Sequence, residues 1–274
     1  MSLYRDEAIV LRTHKLGEAD RIITLLTRDH GKVRAVAKGV RRTKSKFGSR
    51  LEPFTHVDVQ CYEGRSLDVV NQAESLHAYG AELVTDYARY TAGQVMLETA
   101  ERMVPEEREP TVSQYLLLVG GLRSLVGGEH DADLVLDAYL LRSCALGGYA
   151  PSFDECVRCG SPGPHRFFHV PSGGALCTSD RVPGSATPRP ETLALLAALL
   201  SGDWAVADRS GPGPRREGNG IVAAYLQWHL ERALRSLPFV ERGPNSSAAG
   251  ADPPAAAATS FDAVPTAANP VQAD

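Results

Sequence analysis

Cysteine is scarce in this chain of 274 residues: there are five, too few and an odd number for a secreted disulfide framework, so a reducing compartment is expected. No apolar stretch approaches the roughly 20 residues that a membrane-spanning helix needs. Met1–Glu7 lacks the charged-then-apolar pattern of a signal peptide. A phosphate-cradling loop is missing too, since Gly31-Lys32 is followed by Val33 and has no P-loop spacing. No Ser-His-Asp set or paired carboxylates stand out. Membrane, secreted and wholly disordered classes are set aside, and the chain is not expected to be an enzyme.

Lysine has a peculiar absence: all five lysines lie before residue 47. Residues 1–50 hold thirteen Lys and Arg against five Asp and Glu, a surplus of +8; the whole chain carries −4, so the remainder carries −12. A surface charged for solubility alone interleaves the signs. The basic start is therefore expected to face a polyanion, against the plainer alternative of a solvated basic face.

The same region reads as strands. Ala8–Thr13 is rich in Ile, Val and Leu, Gly17-Glu18-Ala19-Asp20 is a turn, and Arg21–Thr27 is β-branched and apolar. After the turn Asp29-His30-Gly31, Lys32–Lys38 alternates: Lys32, Arg34, Val36 and Lys38 on one face, Val33, Ala35 and Ala37 on the other. Thr55–Tyr62 alternates again, with Val57, Val59 and Cys61 on one side, and Leu67–Gln72 follows. Five strands with no room for crossover helices predict a small closed barrel over residues 1–80. Gly39–Arg50, between strands three and four, has little apolar content and is expected to be mobile. Its cations would neutralise phosphates and Phe47 would stack on a base; alternatively, Phe47 plugs the open end of the barrel.

Past residue 80 the period becomes helical. Helices are expected over Asp86–Val104, from a Thr111/Gln114 capping box to Gly127-Gly128, from near Asp131 or Asp133 to Gly147-Gly148, over Glu191–Leu200 and over Gly220–Leu237. Their apolar stripes read as one bundle spanning 81–243. Residues 244–274, dominated by Ala, Pro, Ser and Thr, read as a disordered tail.

Within the helical part, Cys156-Val157-Arg158-Cys159 is followed by Cys177-Thr178-Ser179-Asp180. This is the spacing of a zinc ribbon with Asp180 where the fourth cysteine would stand. Cys156, Cys159, Cys177 and Asp180 are the candidate ligands of a structural zinc ion, with His165 and His169 as substitutes for the fourth, in a module over 151–183. A metal-free knuckle and a redox CxxC are the alternatives. Phe167–Val170 reads as one of its strands, and Cys61 and Cys144 as buried.

In combination, Gly17–Thr27, Ala37-Lys38-Gly39-Val40-Arg41-Arg42, Ser45-Lys46-Phe47-Gly48, Leu51-Glu52-Pro53-Phe54, the CxxC after Gly148-Tyr149-Ala150-Pro151 and the late helix resemble the RecO family of recombination mediators, from residue 3 to about 240. The resemblance implies an α+β chain: an N-terminal five-stranded OB barrel followed by a helical domain carrying a zinc-binding module. It implies binding to single- and double-stranded DNA, annealing of complementary strands without ATP, help in loading RecA, and engagement of RecR and the acidic C-terminal tail of single-strand-binding protein. The location it fits is cytoplasmic, at the nucleoid. Arg34, Lys38, Arg41, Arg42, Lys44 and Lys46, with Phe47, fall where the family's DNA-binding barrel and loop lie. Asp180 departs from the four-cysteine form.

Three other readings compete. An OB surface does not choose DNA over RNA, so an RNA-binding OB/zinc-ribbon protein is the nearest. A zinc-dependent nucleic-acid-modifying enzyme would use Cys156, Cys159 and Cys177, but no H-x-E accompanies the CxxC. A pure interaction scaffold would leave the basic start unexplained.

Overall fold

The computed structural model describes residues 2–230 and 234–240. The expected tail over 244–274 lies outside them. Five strands, β1 (Leu3–Leu16), β2 (Asp20–Thr27), β3 (Lys32–Ala37), β4 (Thr55–Tyr62) and β5 (Asp68–Ala78), form a closed barrel in the order β1-β2-β3-β5-β4. β1 outruns its sequence-based bounds because it serves two neighbours, and β5 because its second half, Ala73–Ala78, continues along β4. β1 pairs with β4 through residues 3–9 and with β2 through residues 8–16, bending between Val10 and Arg12 where the register shifts. β5 lies antiparallel to β4 and closes the barrel by a short parallel pairing, Ala35 with Asp68 and Val36 with Val69.

β1 reads as a continuous apolar run because both its faces are buried. Ala8 and Val10 point into the barrel with Ile23, Leu25, Ala35, Val57, Val59 and Cys61, whereas Ile9 and Leu11 join Leu26 and Phe54 in the core of the helices. In β3 the expected alternation holds, with Val33, Ala35 and Ala37 buried and Arg34 exposed.

The helices are α1 (Tyr79–Leu83), α2 (Tyr87–Met103), α3 (Val112–Gly127), α4 (Ala132–Leu146), α5 (Pro190–Ser201), α6 (Trp204–Ala207) and α7 (Pro212–Leu230). Between α4 and α5 stands the hairpin β6 (Phe167–His169) and β7 (Gly174–Leu176). The capping box does not form. Thr111 makes no side-chain cap, and Gln114, almost fully buried, exchanges two 3.0 Å hydrogen bonds with Ser143 of α4 instead. A buried amide needs partners more than a helix end does. α7 begins eight residues before Gly220, because a proline at a first helical position has no amide to lose. Its described part ends at Leu230; Ala233 lies outside the described residues, and Leu237 belongs to a separate 3-10 turn. No helix among the described residues is long and apolar enough to cross a membrane.

The barrel is seated on the bundle by Phe54. Its amide bonds to Val10 O at 3.0 Å, its φ is 70°, and its ring is buried against Tyr90 with centroids 5.5 Å apart. Gly93 of α2 makes the space, since a Cβ there would lie 2.8 Å from Phe54 Cε1. Beside this seat, Tyr115 of α3 bonds His56 at 2.7 Å and donates to Glu7 at 3.2 Å, tying β4 and β1 to the helices. Phe54→Ala is expected to lower the unfolding free energy by about 3–5 kcal/mol, and Gly93→Val by about 1–3 kcal/mol through overpacking. Chemical denaturation reads both, and a Phe54→Ala protein as stable as its parent would show that the barrel is seated by something else.

Candidate nucleic-acid interface and metal centre

The thirteen cations of the first fifty residues divide into two sets. Arg5 pairs with Asp58 at 2.6 Å, Arg12 with Glu101 at 2.7 Å, Arg21 with Glu52 at 2.5 Å, Arg34 with Glu107 at 2.5 Å and Arg28 with Asp29 at 4.0 Å. Lys32 Nζ donates to the Pro105 and Glu101 carbonyls, and burial lowers its pKa. Lys15, Lys38, Arg41, Arg42, Lys44, Lys46 and Arg50 remain, all exposed and none with a carboxylate at ion-pair distance among the described residues.

This second set gathers at one end of the barrel. The β1–β2 hairpin tip meets the 39–50 segment there: the Arg41 amide donates to Ala19 O at 2.9 Å, its guanidinium to Glu18 O and Gly17 O, and the Gly39 amide to Asp20 Oδ1 at 2.7 Å. Lys46 Nζ donates to Asn71 O of β5 at 2.6 Å, and Arg50 to the Lys46 and Phe47 carbonyls. Carbonyl partners position a cation while leaving its charge uncompensated. Lys15 stands across from Arg21 in the hairpin, a like-charge pairing relieved only at Arg21 by Glu52.

One site expectation is corrected here. Phe47 is 1% exposed, packed with Val40 and Leu51 into the barrel interior. It is the plug, not a stacking platform, and with those two side chains it folds the 39–50 segment onto the barrel where mobility was expected. A few apolar residues suffice when each reaches the core. Arg34, though exposed as its strand position requires, is engaged by Glu107 from the α2–α3 connection, which brings to β3 a carboxylate 73 positions away in sequence. Lys15 and Arg50 belong to the same exposed set, and Lys15's place two residues before the Gly17 turn is the sequence signal for it.

The cysteine cluster forms as spaced. Cys156, Cys159, Cys177 and Asp180 bring their ligand atoms within 4.8 Å of one another. Around a tetrahedral zinc, with sulfur at about 2.3 Å and oxygen at about 2.0 Å, ligands stand about 3.8 Å apart sulfur to sulfur and about 3.5 Å sulfur to oxygen. Here Cys159 Sγ is 3.8 Å from Cys177 Sγ, and Asp180 Oδ2 is 3.2 Å from Cys177 Sγ and 3.4 Å from Cys156 Sγ. The donor set fits a four-coordinate metal ion. His165 and His169 stay outside it, bonded to Ser161 O and Ser172 Oγ. Desolvation opposes ionisation of Cys156, but the backbone amides of Cys177, Cys159 and Arg158 outweigh it and lower its pKa. Hydrogen bonds from Cys159, Cys177 and Cys156 hold Asp180 below the usual carboxylate range, and its carboxylate in turn raises Cys177. Phe153 and Phe168 stack at 5.5 Å, and Phe168 meets Tyr225 of α7, so an aromatic root fixes the module to the bundle.

The family model described as recombination protein O N terminal matches residues 1–79, and that described as recombination protein O C terminal matches 84–238. The chain belongs to the RecO family. Among its relatives, the DNA repair protein RecO of a Nocardioides species is 66% identical over 243 residues, covering 88% of this chain and all of that protein. The proteins of the same name from Streptomyces avermitilis and Thermobifida fusca are each 64% identical, over 248 and 242 residues, with the same coverage. The resemblance read from the barrel motifs and the cysteine spacing is thus shown, as is an α+β fold with a five-stranded barrel, a helical part and a Cys/Asp cluster.

In this RecO-family chain, Gly174 lets β7 pass against the strand-like backbone of Ser152: a Cβ would lie 2.4 Å from Ser152 O and 2.8 Å from Val157 Cγ1. Gly174→Ala is expected to splay the two ligand turns. Faster thiol labelling of Cys159 and Cys177 in native protein checks this, and unchanged labelling would mean the turns tolerate the extra carbon.

Proposed function

We propose that this chain is a non-catalytic, DNA-binding recombination mediator acting in recombinational repair. On this reading it binds single- and double-stranded DNA, anneals complementary strands without ATP and assists recombinase loading, in contact with RecR and the tail of single-strand-binding protein in the cytoplasm. Family membership and the relatives' names support the repair role. The observation that carries the binding step is the set Lys38, Arg41, Arg42, Lys44 and Lys46 around the hairpin tip, without carboxylate partners among the described residues. Two DNA strands repel each other. A surface that neutralises phosphates on both lowers that barrier, and base pairing supplies the free energy.

With five cations on phosphates, affinity for single strands should fall with salt at a log–log slope of about −3.5. Arg41→Ala/Arg42→Ala should flatten that slope by about 1.4 without unfolding the protein; fluorescence anisotropy across a salt series reads both. Wild-type affinity in the double variant would clear the tip of any role.

We further propose that the metal is zinc and that its role is structural. Cys156, Cys159, Cys177 and Asp180 would hold it, and it would supply the cross-link that joins the two turns carrying them. Protein purified under reducing conditions should contain stoichiometric zinc by elemental analysis, and Cys159→Ser should lose the metal and melt at lower temperature. A metal-free wild-type chain with the same Tm as a zinc-loaded one would count against it.

A further inference from the structure

The unpaired cations lie at one end of the barrel, while the β3 face beside them is occupied from the helical side. The α2–α3 connection, Val104–Pro110, runs along β3 as a strap. Lys32 and Glu107 form a parallel bridge, the Arg108 amide donates to Lys32 O at 2.9 Å, and the Arg108 guanidinium binds Glu63 and the buried Asp68. Arg108 takes a φ of 63° to do so, and Gly31, with φ 67°, admits the strap so closely that a Cβ would lie 1.8 Å from Glu109 O. Contacts of this kind fix the strap's backbone. What it presents is acidic: Glu107 on Arg34, Glu101 at its root on Arg12, and Glu106 and Glu109 exposed, with no ion-pair partner among the described residues.

We infer that Glu107, held by this strap, closes the β3 face to nucleic acid and directs the phosphodiester backbone onto the hairpin tip and the 39–50 segment. Many OB barrels bind oligonucleotides across strands two and three as well as through their loops. Here a phosphate approaching Arg34 must displace a carboxylate already 2.5 Å away, on a connection that exposes two further carboxylates. Glu107 is thus a positioning residue: it sets where a backbone runs and touches none of it. The inference rests on the nucleic-acid reading proposed above.

The test is a mutant cycle in the full chain, with a mixed-sequence single-stranded oligonucleotide as probe and anisotropy across a salt series as readout. The Arg34–Glu107 pair is exposed enough that removing either member should leave the fold intact, and thermal melts verify this. Arg34→Ala should bind within about twofold of wild type, since a cation that touches no phosphate adds nothing to the salt slope. Glu107→Gln should bind more tightly and steepen the slope by about 0.7, the mark of one added phosphate contact. Arg34→Ala placed in the Glu107→Gln protein should cancel that gain. Arg34→Ala alone weakening binding as much as Arg42→Ala, or Glu107→Gln leaving affinity and slope unchanged, overturns the inference. Wild-type affinity in Arg42→Ala would overturn instead the reading of the tip on which it rests.

Discussion

The seating of Phe54 over Gly93 is the contact on which the remaining geometry depends. A barrel is nearly cylindrical and could meet a helical bundle in many rotations. One aromatic side chain entering a slot that only glycine leaves open selects a single rotation, and the Tyr115–His56–Glu7 bonds hold it. Given that rotation, the α2–α3 connection falls against β3, so the packing of two apolar surfaces brings Arg12 and Arg34 to carboxylates of the helical part.

That division changes the meaning of the charge surplus. Thirteen cations in fifty residues suggest a uniformly basic barrel, yet carboxylates of the barrel part (Asp29, Glu52, Asp58) and of the helical part (Glu101, Glu107) engage five of them and leave the set at the hairpin tip. The useful quantity is the local field at the hairpin tip, not the net charge of the segment. Three of the cations there, Arg41, Lys46 and Arg50, are ordered by backbone carbonyls, so their side chains lose little freedom on meeting a phosphate.

How much of this was legible in the sequence follows from the range of the forces involved. The alternation in β3 and β4, the turns at Gly17 and Gly31, and the ligand spacing around Cys156 are set by neighbours a few residues away, and they read correctly. The burial of Phe47 and the engagement of Arg34 are not legible locally because their partners are distant. Local composition marks Gly39–Arg50 as polar but does not reveal that Val40, Phe47 and Leu51 reach the same core, and nothing in Lys32–Ala37 announces Glu107. Gln114 failed likewise: its capping role was the best local choice until Ser143 offered a buried one.

The closure of the barrel has a consequence for protein recognition. Where β5 leaves β3 unpaired, the bridge from Lys32 to Glu107 takes over, and the β6–β7 ribbon is flanked by Phe168 with Ala186 and Ser152 with Gly174. At these positions the main-chain donors and acceptors are engaged, so these stretches do not invite a visiting peptide to extend them by strand addition. A protein that docks on these parts must be read through side chains, which makes the match sensitive to single substitutions in either partner and spares the molecule from indiscriminate β-pairing.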